Sequence, residues 1–593
     1  MKYNLLGNNY SSDSLIKSIL KNRGIQNVDK IICPTHEDDT NVNELPNIKQ
    51  GIEMLQRNLT KHILLLVDSD VDGNTSAAIM LKYIKFINPL ANVSYYIHSR
   101  KAHGITNEFL EYVKEKMPDM IIITDAGTND VTNREIISNQ MGIDLLIIDH
   151  HAEGFYTEKG GILINNHSTC PKNNINKNLT GAGMTFLFCK ALEQIYNTGR
   201  LNSLIDLAMM GLIGDSASLL DNEVRRMCFD GLDNINSNLV KTFYDEMSKN
   251  IDSLIFKDLS YGGIIPLINS IIRVGSLEDR QLVFKALADL DTNYSEIVTK
   301  RKLNKETRKY EMVEFNYNIY QLAIDAGVKC KNNQQKLLKP TLEEAEQQYN
   351  PNASIQIFVT SEENKSLTGL IANRLKSDWK APTIVVWLNE ERTMYNGSLR
   401  GYEETLPNFK EWCKSTGLFT LVQGHDNAAG VQLPAINMMD LMALAEKNFE
   451  KIEKSYDIDL LYDGTVDTTH VFELNNYQYL FGNGLEEPLA LVKNLKVAIS
   501  DIQYSKKTLR LKCGNMTYIK FGVSEEEYDN LIKKINGHFA IFEIVGTFKI
   551  NEYYGRIFPQ MAINDFELIE QTHESFGDVF GGNSENIDYG IFA

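Results

Sequence analysis

The feature that most constrains this chain is a short apolar run that ends in a crowd of acids. Residues 61–73 read Lys-His-Ile-Leu-Leu-Leu-Val-Asp-Ser-Asp-Val-Asp-Gly. Ile63 to Val67 has the length and branching of a buried strand. Asp68, Asp70, Asp72 and Gly73 follow at once. In parallel α/β sheets ligands bind at the carboxyl ends of strands, and three carboxylates this close repel one another unless a cation lies among them. The spacing D-x-D-x-D-G also opens an EF-hand loop, which needs a preceding helix and a bidentate Glu at its twelfth position. Counted from Asp68 that position is Ile79, and the segment before the loop is strand-like, so a calcium loop is excluded. A solvated acidic turn remains the bland alternative for the triplet taken alone.

The same arrangement recurs downstream. Asn74–Phe86 reads as a helix and Asn92–His98 as a strand, with Arg100 just beyond it. Met120–Thr124 is a strand that ends at Asp125, and Asp144–Ile148 is a strand that ends in Asp149-His150-His151. Strands alternating with helices indicate a parallel α/β sheet, whose strand ends share one edge. A solitary His is usually a satisfied core residue and a solitary Asp a cap; three strands each ending in ligand-type residues resist that reading. Carboxylates mixed with imidazole suit manganese or magnesium, and His tilts the choice to manganese. Leu204–Ser216 is a very apolar helix with Asp215 at its end, where a carboxylate opposes the helix dipole and a cation partner is favourable.

Composition narrows the class. A chain of 593 residues sets a soft expectation of about four domains. The net charge of −18 argues against a protein that coats nucleic acid nonspecifically, while leaving room for an enzyme with a local basic channel. No apolar run approaches the ~20 residues of a membrane span, and the opening residues carry no apolar signal segment. Seven cysteines, an odd number without a C-x-x-C pair, suit a reducing cytoplasm with neither disulfide framework nor zinc ribbon.

In chain order, DSDVDG at 68–73, TDAG at 124–127, DHH at 149–151, TGAGMTF at 180–186 and GLIGDSASL at 211–219 resemble the motifs of the DHH phosphoesterase superfamily, in the form carried by RecJ-type single-strand DNA exonucleases. Ile268-Asn-Ser-Ile-Ile-Arg-Val resembles a family segment with Asn and Arg in these places, Ser-Ile-Ile standing here for the usual Ala-Ala-Gly. Gly369-Leu-Ile-Ala-Asn-Arg-Leu, Gly397-Ser-Leu-Arg and Gly424-His-Asp-Asn-Ala-Ala-Gly resemble the DHH-associated domain, and Asn551-Glu-Tyr-Tyr-Gly-Arg with Pro559-Gln and Asp565 the end of an OB-fold domain. The breadth of the resemblance, residues 45–570, separates the chain from the shorter nano-RNases and family II pyrophosphatases. Two departures are Leu66, where many DHH enzymes have His, and Gln423 in place of a Gly.

The resemblance implies that Asp70, Asp72, Asp125, His150 and Asp215 hold two divalent ions, manganese preferred and magnesium an alternative, with Asp125 bridging. Asp68 and Asp149 are implied to stand behind the ligands, and His151 to join the catalytic set at the phosphate. Arg100, Ser398 and Arg400 would grip a terminal 5′-phosphate; Arg273 and His425 would contact phosphates near the cleaved bond. The implied activity is metal-dependent 5′-to-3′ hydrolysis of single-stranded DNA to nucleoside 5′-monophosphates in recombination or repair. A monomer is expected, with a single-strand-binding protein or helicase as partner and no membrane. The alternatives are a phosphodiesterase on short oligonucleotides or cyclic dinucleotides and, from another class, a catalytically silent DNA-binding replication scaffold. The OB-like end weighs against the first and the retained acids against the second.

The expected architecture is α/β: a helical lead-in (1–45), a parallel-sheet DHH core (46–280), a connecting long helix (281–345), a second α/β, DHH-associated domain (346–455), an OB-fold β-barrel (456–570) and a flexible tail (571–593). The long helix is read over Asp279–Gly327, with Lys300, Arg301, Lys302, Lys305, Arg308 and Lys309 on a solvated face whose basic side would line the DNA path. Five short strands between Leu495 and Ile563 suit an OB barrel, with Tyr504, Tyr518, Tyr553 and Tyr554 as candidate stacking surfaces.

Overall fold

His62–Val67 forms strand β1, and every residue from Ile63 to Val67 is buried. Its parallel neighbours are β2 (Asn92–Ile97) on one side and β3 (Met120–Thr124) on the other, followed by β4 (Asp144–Asp149) and β5 (Ile162–Asn165), in the order β2-β1-β3-β4-β5. Ile63, Leu65 and Val67 pack into one core and Leu64 and Leu66 into another on the opposite face. A parallel sheet covered on both faces requires such an unbroken apolar strand. The strand order reverses at β1, and a crevice opens at the carboxyl ends of strands flanking such a switch point.

Three helices complete the edge that matters. Helix α1 (Val71–Ile87) leaves the end of β1, and α2 (Gly181–Tyr196) and α3 (Ile205–Gly214) pack against it. Gly211 permits the close approach: a Cβ there would lie 2.2 Å from Asp72 Oδ1 and 2.4 Å from Ala182 Cβ. Helices α4 (Ile264–Val274) and α5 (Leu277–Leu287) follow.

The computed structural model describes residues 1–7, 14–152, 159–167, 175–304, 308–402, 405–447, 455–553 and 556–569. The chain divides into one unit of residues 29–452 with 481–485 and another of residues 1–28, 453–480 and 486–593. In the first unit the expected long helix over Asp279–Gly327 is corrected. Strands β6 (Ser295–Leu303) and β7 (Tyr310–Asn318) form an antiparallel ribbon, and a 30-residue helix α6 (Ile319–Gln348) begins only after it. Val313, Phe315 and Tyr317 recur every second residue, the strand period, and Asn318 caps α6 through the Gln321 amide N–H. Helix α6 leads to a second sheet, β8 (Gln356–Val359), β9 (Thr383–Leu388), β10 (Met394–Arg400), β11 (Leu421–His425) and β12 (Ala428–Pro434), in the order β11-β12-β10-β9-β8. Helix α7 (Thr368–Trp379) packs on it.

The other unit carries a seven-stranded sheet that contains all five expected strands and adds Leu460–Asp463 and Ile502–Ser505. The helical reading of residues 1–45 is corrected at its start: Lys2–Leu5 is a strand parallel to Ser455–Ile458. Tyr518 is buried there, and Tyr504 stacks on Tyr528 with ring centroids 4.7 Å apart. The Tyr553 side chain, Tyr554, Lys305 and residues 571–593 lie outside the described residues. Among the described residues no helix is long and apolar enough to cross a membrane.

The α4–α6 contact depends on Gly327, where a Cβ would fall 2.4 Å from Leu267 Cγ. Gly327→Ala forces the helices apart and is expected to destabilise the unit by about 1–3 kcal/mol. A thermal-melting midpoint equal to the parent's would refute the close packing.

Candidate metal centre

Each strand of the switch point delivers an acid to the same edge. Asp70 is the N-cap of α1, its carboxylate accepting the Gly73 N–H at 2.9 Å. Asp72, in the first turn of α1, is buried against the start of α2. It accepts Thr180 Oγ1–H at 2.8 Å, Gly181 N–H at 2.6 Å and Ala182 N–H at 3.0 Å. Asp125, just past β3, has φ +67°, a left-handed conformation rarely adopted by residues other than Gly, Asn and Asp. Its close neighbour is Gly181, where a Cβ would meet Asp125 Oδ1 at 2.5 Å. Asp215 caps the carboxyl end of α3.

His150 Nε2 sits at the centre: 3.1 Å from Asp125 Oδ1, 3.7 Å from Asp215 Oδ2 and 3.9 Å from Asp72 Oδ2. Asp125 Oδ1 is buried and accepts no hydrogen bond. Burial drives the His150 pKa down to about 4, so the ring is neutral near pH 7. Burial, reinforced by Asp70, raises Asp72 to about 6, and burial with Asp72 and Asp70 raises Asp215 to about 8. Burial with the charges of Asp72 and Asp70 holds Asp125 well above the usual carboxylate range. These groups have more negative charge than their surroundings tolerate, and a cation relieves it.

The remaining two acids have partners of their own. Asp149 accepts the Thr128 and His150 N–H groups and His151 Nδ1–H at 2.8 Å. Burial alone would raise it, but the His151 hydrogen bond and charge hold it below the carboxylate range, and His151 is raised in turn to about 9. Asp68 takes the Gly104 N–H at 2.9 Å and His103 Nδ1–H at 2.6 Å, and is held low by His103 against its burial. Three sets of ligand atoms are each close enough to hold an ion: Asp125 with Asp149, His150 and His151; Asp72 with His150 and Asp215; and Asp68 with Asp70 and His103.

Cations face this edge. Arg273 ends α4, and its pKa is lowered by burial while Asp70 supports its charge. Arg400, on β10, is lowered by burial and by Arg273. Ser398 Oγ lies 3.0 Å from Thr368 Oγ1, and a Cβ on Gly369 would strike Arg400 at 2.8 Å, so α7 starts against these two side chains. Arg100 is exposed on the loop after β2. The cation of that loop that interacts with Arg273, Arg400, Asp70 and Asp68 is Lys101. Lys101 and His103 are absent from the sequence expectation, although both follow β2 as Asp68 follows β1. His425 ends β11, and its side chain is outside the described residues.

Comparison with known proteins places this geometry. Residues 62–212 match the DHH family, N-terminal domain. The chain is 31% identical over 593 residues to YorK, an SPbeta prophage-derived protein of Bacillus subtilis (strain 168) named provisionally as a single-strand DNA-specific exonuclease, covering 96% of this chain and 98% of that one. It is 24% identical to the single-stranded-DNA-specific exonuclease RecJ of the same organism, covering 94% of this chain and 68% of that one. The crystal structure of RecJ in complex with Mn2+ from Thermus thermophilus superposes with a TM-score of 0.71 at 18% identity, covering 93% of this chain and 76% of that one.

The raised carboxylates set a pH dependence. Unfolded, they ionise near the ordinary value; folded, Asp72 and Asp215 keep protons to about 6 and 8. The folded state therefore binds more protons across that window, and the stability of the metal-free protein falls as pH rises through it. In EDTA the melting midpoint is expected to fall from about pH 5 to about pH 9, and the rise on adding Mn2+ to grow over the same range. Asp215→Asn should raise the midpoint in EDTA at high pH by about 2–4 °C and shrink the Mn2+ response. A Mn2+ shift independent of pH would contradict this charge crowding.

Proposed function

The chain belongs to the DHH family, in its RecJ-like branch, and from that premise we propose that it hydrolyses single-stranded DNA from the 5′ end to nucleoside 5′-monophosphates, as a divalent-metal enzyme of recombination or repair. The observation that carries this reading is the pair formed by Asp125 Oδ1 and His150 Nε2. They lie 3.1 Å apart, buried, with no hydrogen bond accepted by the oxygen. Two converging lone pairs in a largely buried site fit a shared cation. Asp70, Asp72, Asp125, His150 and Asp215 would hold two ions, manganese preferred and magnesium an alternative. When bound, such ions activate water and neutralise charge developing on the phosphoryl group.

The chain's own residues then orient the substrate. Asp149 fixes the His151 ring through Nδ1 and keeps it protonated, leaving Nε2–H to donate to a phosphoryl oxygen. Asp68 fixes His103 in the same way. Arg273, Arg400 and Lys101 bind non-bridging oxygens, guanidinium forks suiting phosphate better than ammonium does. Arg100, Ser398 and Arg400 would take the terminal 5′-phosphate, which would set the polarity, and Arg273 and His425 would contact phosphates near the cleaved bond.

Two measurements test the assignment. With Mn2+, end-labelled single-stranded DNA should release a mononucleotide from the 5′ end first, with duplex, RNA and dinucleotides cleaved more slowly. Preference for dinucleotides would move the chain to the short-oligonucleotide phosphodiesterases. Asp125→Asn keeps a residue that tolerates the left-handed backbone and should lower kcat/KM by about 10³-fold or more with the fold intact. Arg400→Ala should lower kcat/KM on 5′-phosphorylated strands by about 10–100-fold, and make them equal to 5′-hydroxyl strands. An undiminished preference for the 5′-phosphate would remove Arg400 from that role.

A further inference from the structure

The ribbon β6–β7 has no part in the metal centre, and its chemistry points to a ligand of its own. Register pairs share a face, so Ile297, Thr299, Arg301 and Leu303 stand with Asn316, Glu314, Met312 and Tyr310. This face is open: Ile297 is 71% exposed, Met312 67%, Tyr310 59% and Leu303 44%. The other face, with Val298, Lys300, Val313, Phe315 and Tyr317, is half-buried. Lys300 reaches Asp325 of α6 at 2.6 Å, which fixes the ribbon against that helix and settles which face is presented to solvent.

The open face combines two chemistries. Its apolar members are a phenol ring, a thioether and branched side chains, with one carboxylate, Glu314. The Arg301 guanidinium lies over the Tyr310 ring, 4.4 Å from its centroid, and among the described residues it has no carboxylate partner. On the other face Lys302 and Lys300 lie over the rings of Phe315 and Tyr317. Arg308 and Lys309 stand at the turn end. On this face and at the turn end Arg301, Arg308 and Lys309 stand with one carboxylate, Glu314, in a chain whose net charge is −18. A cation-rich surface on a strongly acidic chain is matched by a polyanion. An exposed ring, Tyr310, and apolar side chains beside those cations are matched by a polyanion whose bases are unpaired and free to stack.

We propose that this face is a second binding site for single-stranded nucleic acid, holding the strand away from the cleavage centre by stacking on Tyr310 and Met312 and by phosphate contacts from Arg301, Arg308 and Lys309. The proposal rests on the exonuclease reading for its biological sense but not for its test. A strand long enough to reach both sites would be held between cleavage events, and a strand occupying only the metal centre would not.

The test uses the full chain in EDTA, where no strand is consumed, and fluorescein-labelled oligo-dT of about 30 nucleotides read by anisotropy. Arg301→Ala combined with Tyr310→Ala should raise Kd about tenfold or more and reduce the slope of log K against log salt by about one phosphate contact. Glu314→Lys, which adds a cation to the same face, should tighten binding and steepen that slope. With Mn2+, hydrolysis of a trinucleotide by both variants should stay within about twofold of the parent. Unchanged affinity for the 30-mer in the double variant and in Glu314→Lys overturns the proposal and leaves the face to a protein partner. Absence of 30-mer binding by the parent also overturns it. Failure of the exonuclease reading would appear separately, as intact DNA in Mn2+ with the anisotropy result unaffected.

Discussion

The arrangement depends first on one carboxylate clamped by a helix start. Asp72 leaves the first turn of α1 and takes Thr180 Oγ1–H together with Gly181 N–H and Ala182 N–H, two backbone donors that the first turn of α2 cannot satisfy internally. The positive ends of two helix dipoles thus converge on one anion. Gly181, lacking a Cβ, lets Asp125 lie directly against that turn, and Gly211 lets α3 close over Asp72 and bring Asp215 within reach. A side chain at either glycine would move an acid, not merely strain a helix.

With the acids so placed, partnership sorts them. Asp68 and Asp149 each hold an imidazole and backbone N–H groups, and both are held below the carboxylate range despite full burial. Asp72, Asp125 and Asp215 face other acids, and all three are raised. The same residue type in the same few ångströms therefore does two jobs. An acid with its own cation is a fixed strut that aims a ring; an acid without one is an open demand for positive charge. His150, neutral because it is buried, adds a lone pair to the second group and not a charge to the first.

Much of this was legible in the sequence because a buried parallel strand is an unbroken apolar run whose carboxyl end is marked by the first polar residue. Ile63–Val67, Met120–Thr124 and Asp144–Ile148 announce their own ends, and Asp68, Asp125 and Asp149 stand there. Asn92–Ile97 is an edge strand, only half-buried, with polar Asn92 and Ser94 along it. Its end was less sharply marked, and Lys101 and His103 beyond it went unassigned in favour of Arg100. The ribbon was hidden for a different reason. Its basic cluster suggested a solvated helical face, while the period-two pattern of Val313, Phe315 and Tyr317 lay just outside that cluster. The pairing of Lys2–Leu5 with Ser455–Ile458 joins residues more than four hundred positions apart, and four residues carry no local signal of so distant a partner.

Charge explains why the two sides of the cleft belong together. On one side, three raised carboxylates lack a cation. On the other, Arg273 lowers both Arg400 and Lys101, and Asp70 offsets part of the excess positive charge at Arg273 and Lys101. Direct ion pairing across the cleft would quench both demands. Asp70 does interact with Arg273, but Asp72, Asp125 and Asp215 turn inward, held by α2 and by His150, and are not spent on the arginines. Complementary charges kept apart at the expense of stability require a ligand that satisfies both at once. Under the proposed reading, cations on the acid side and a phosphate group on the arginine side would satisfy both demands.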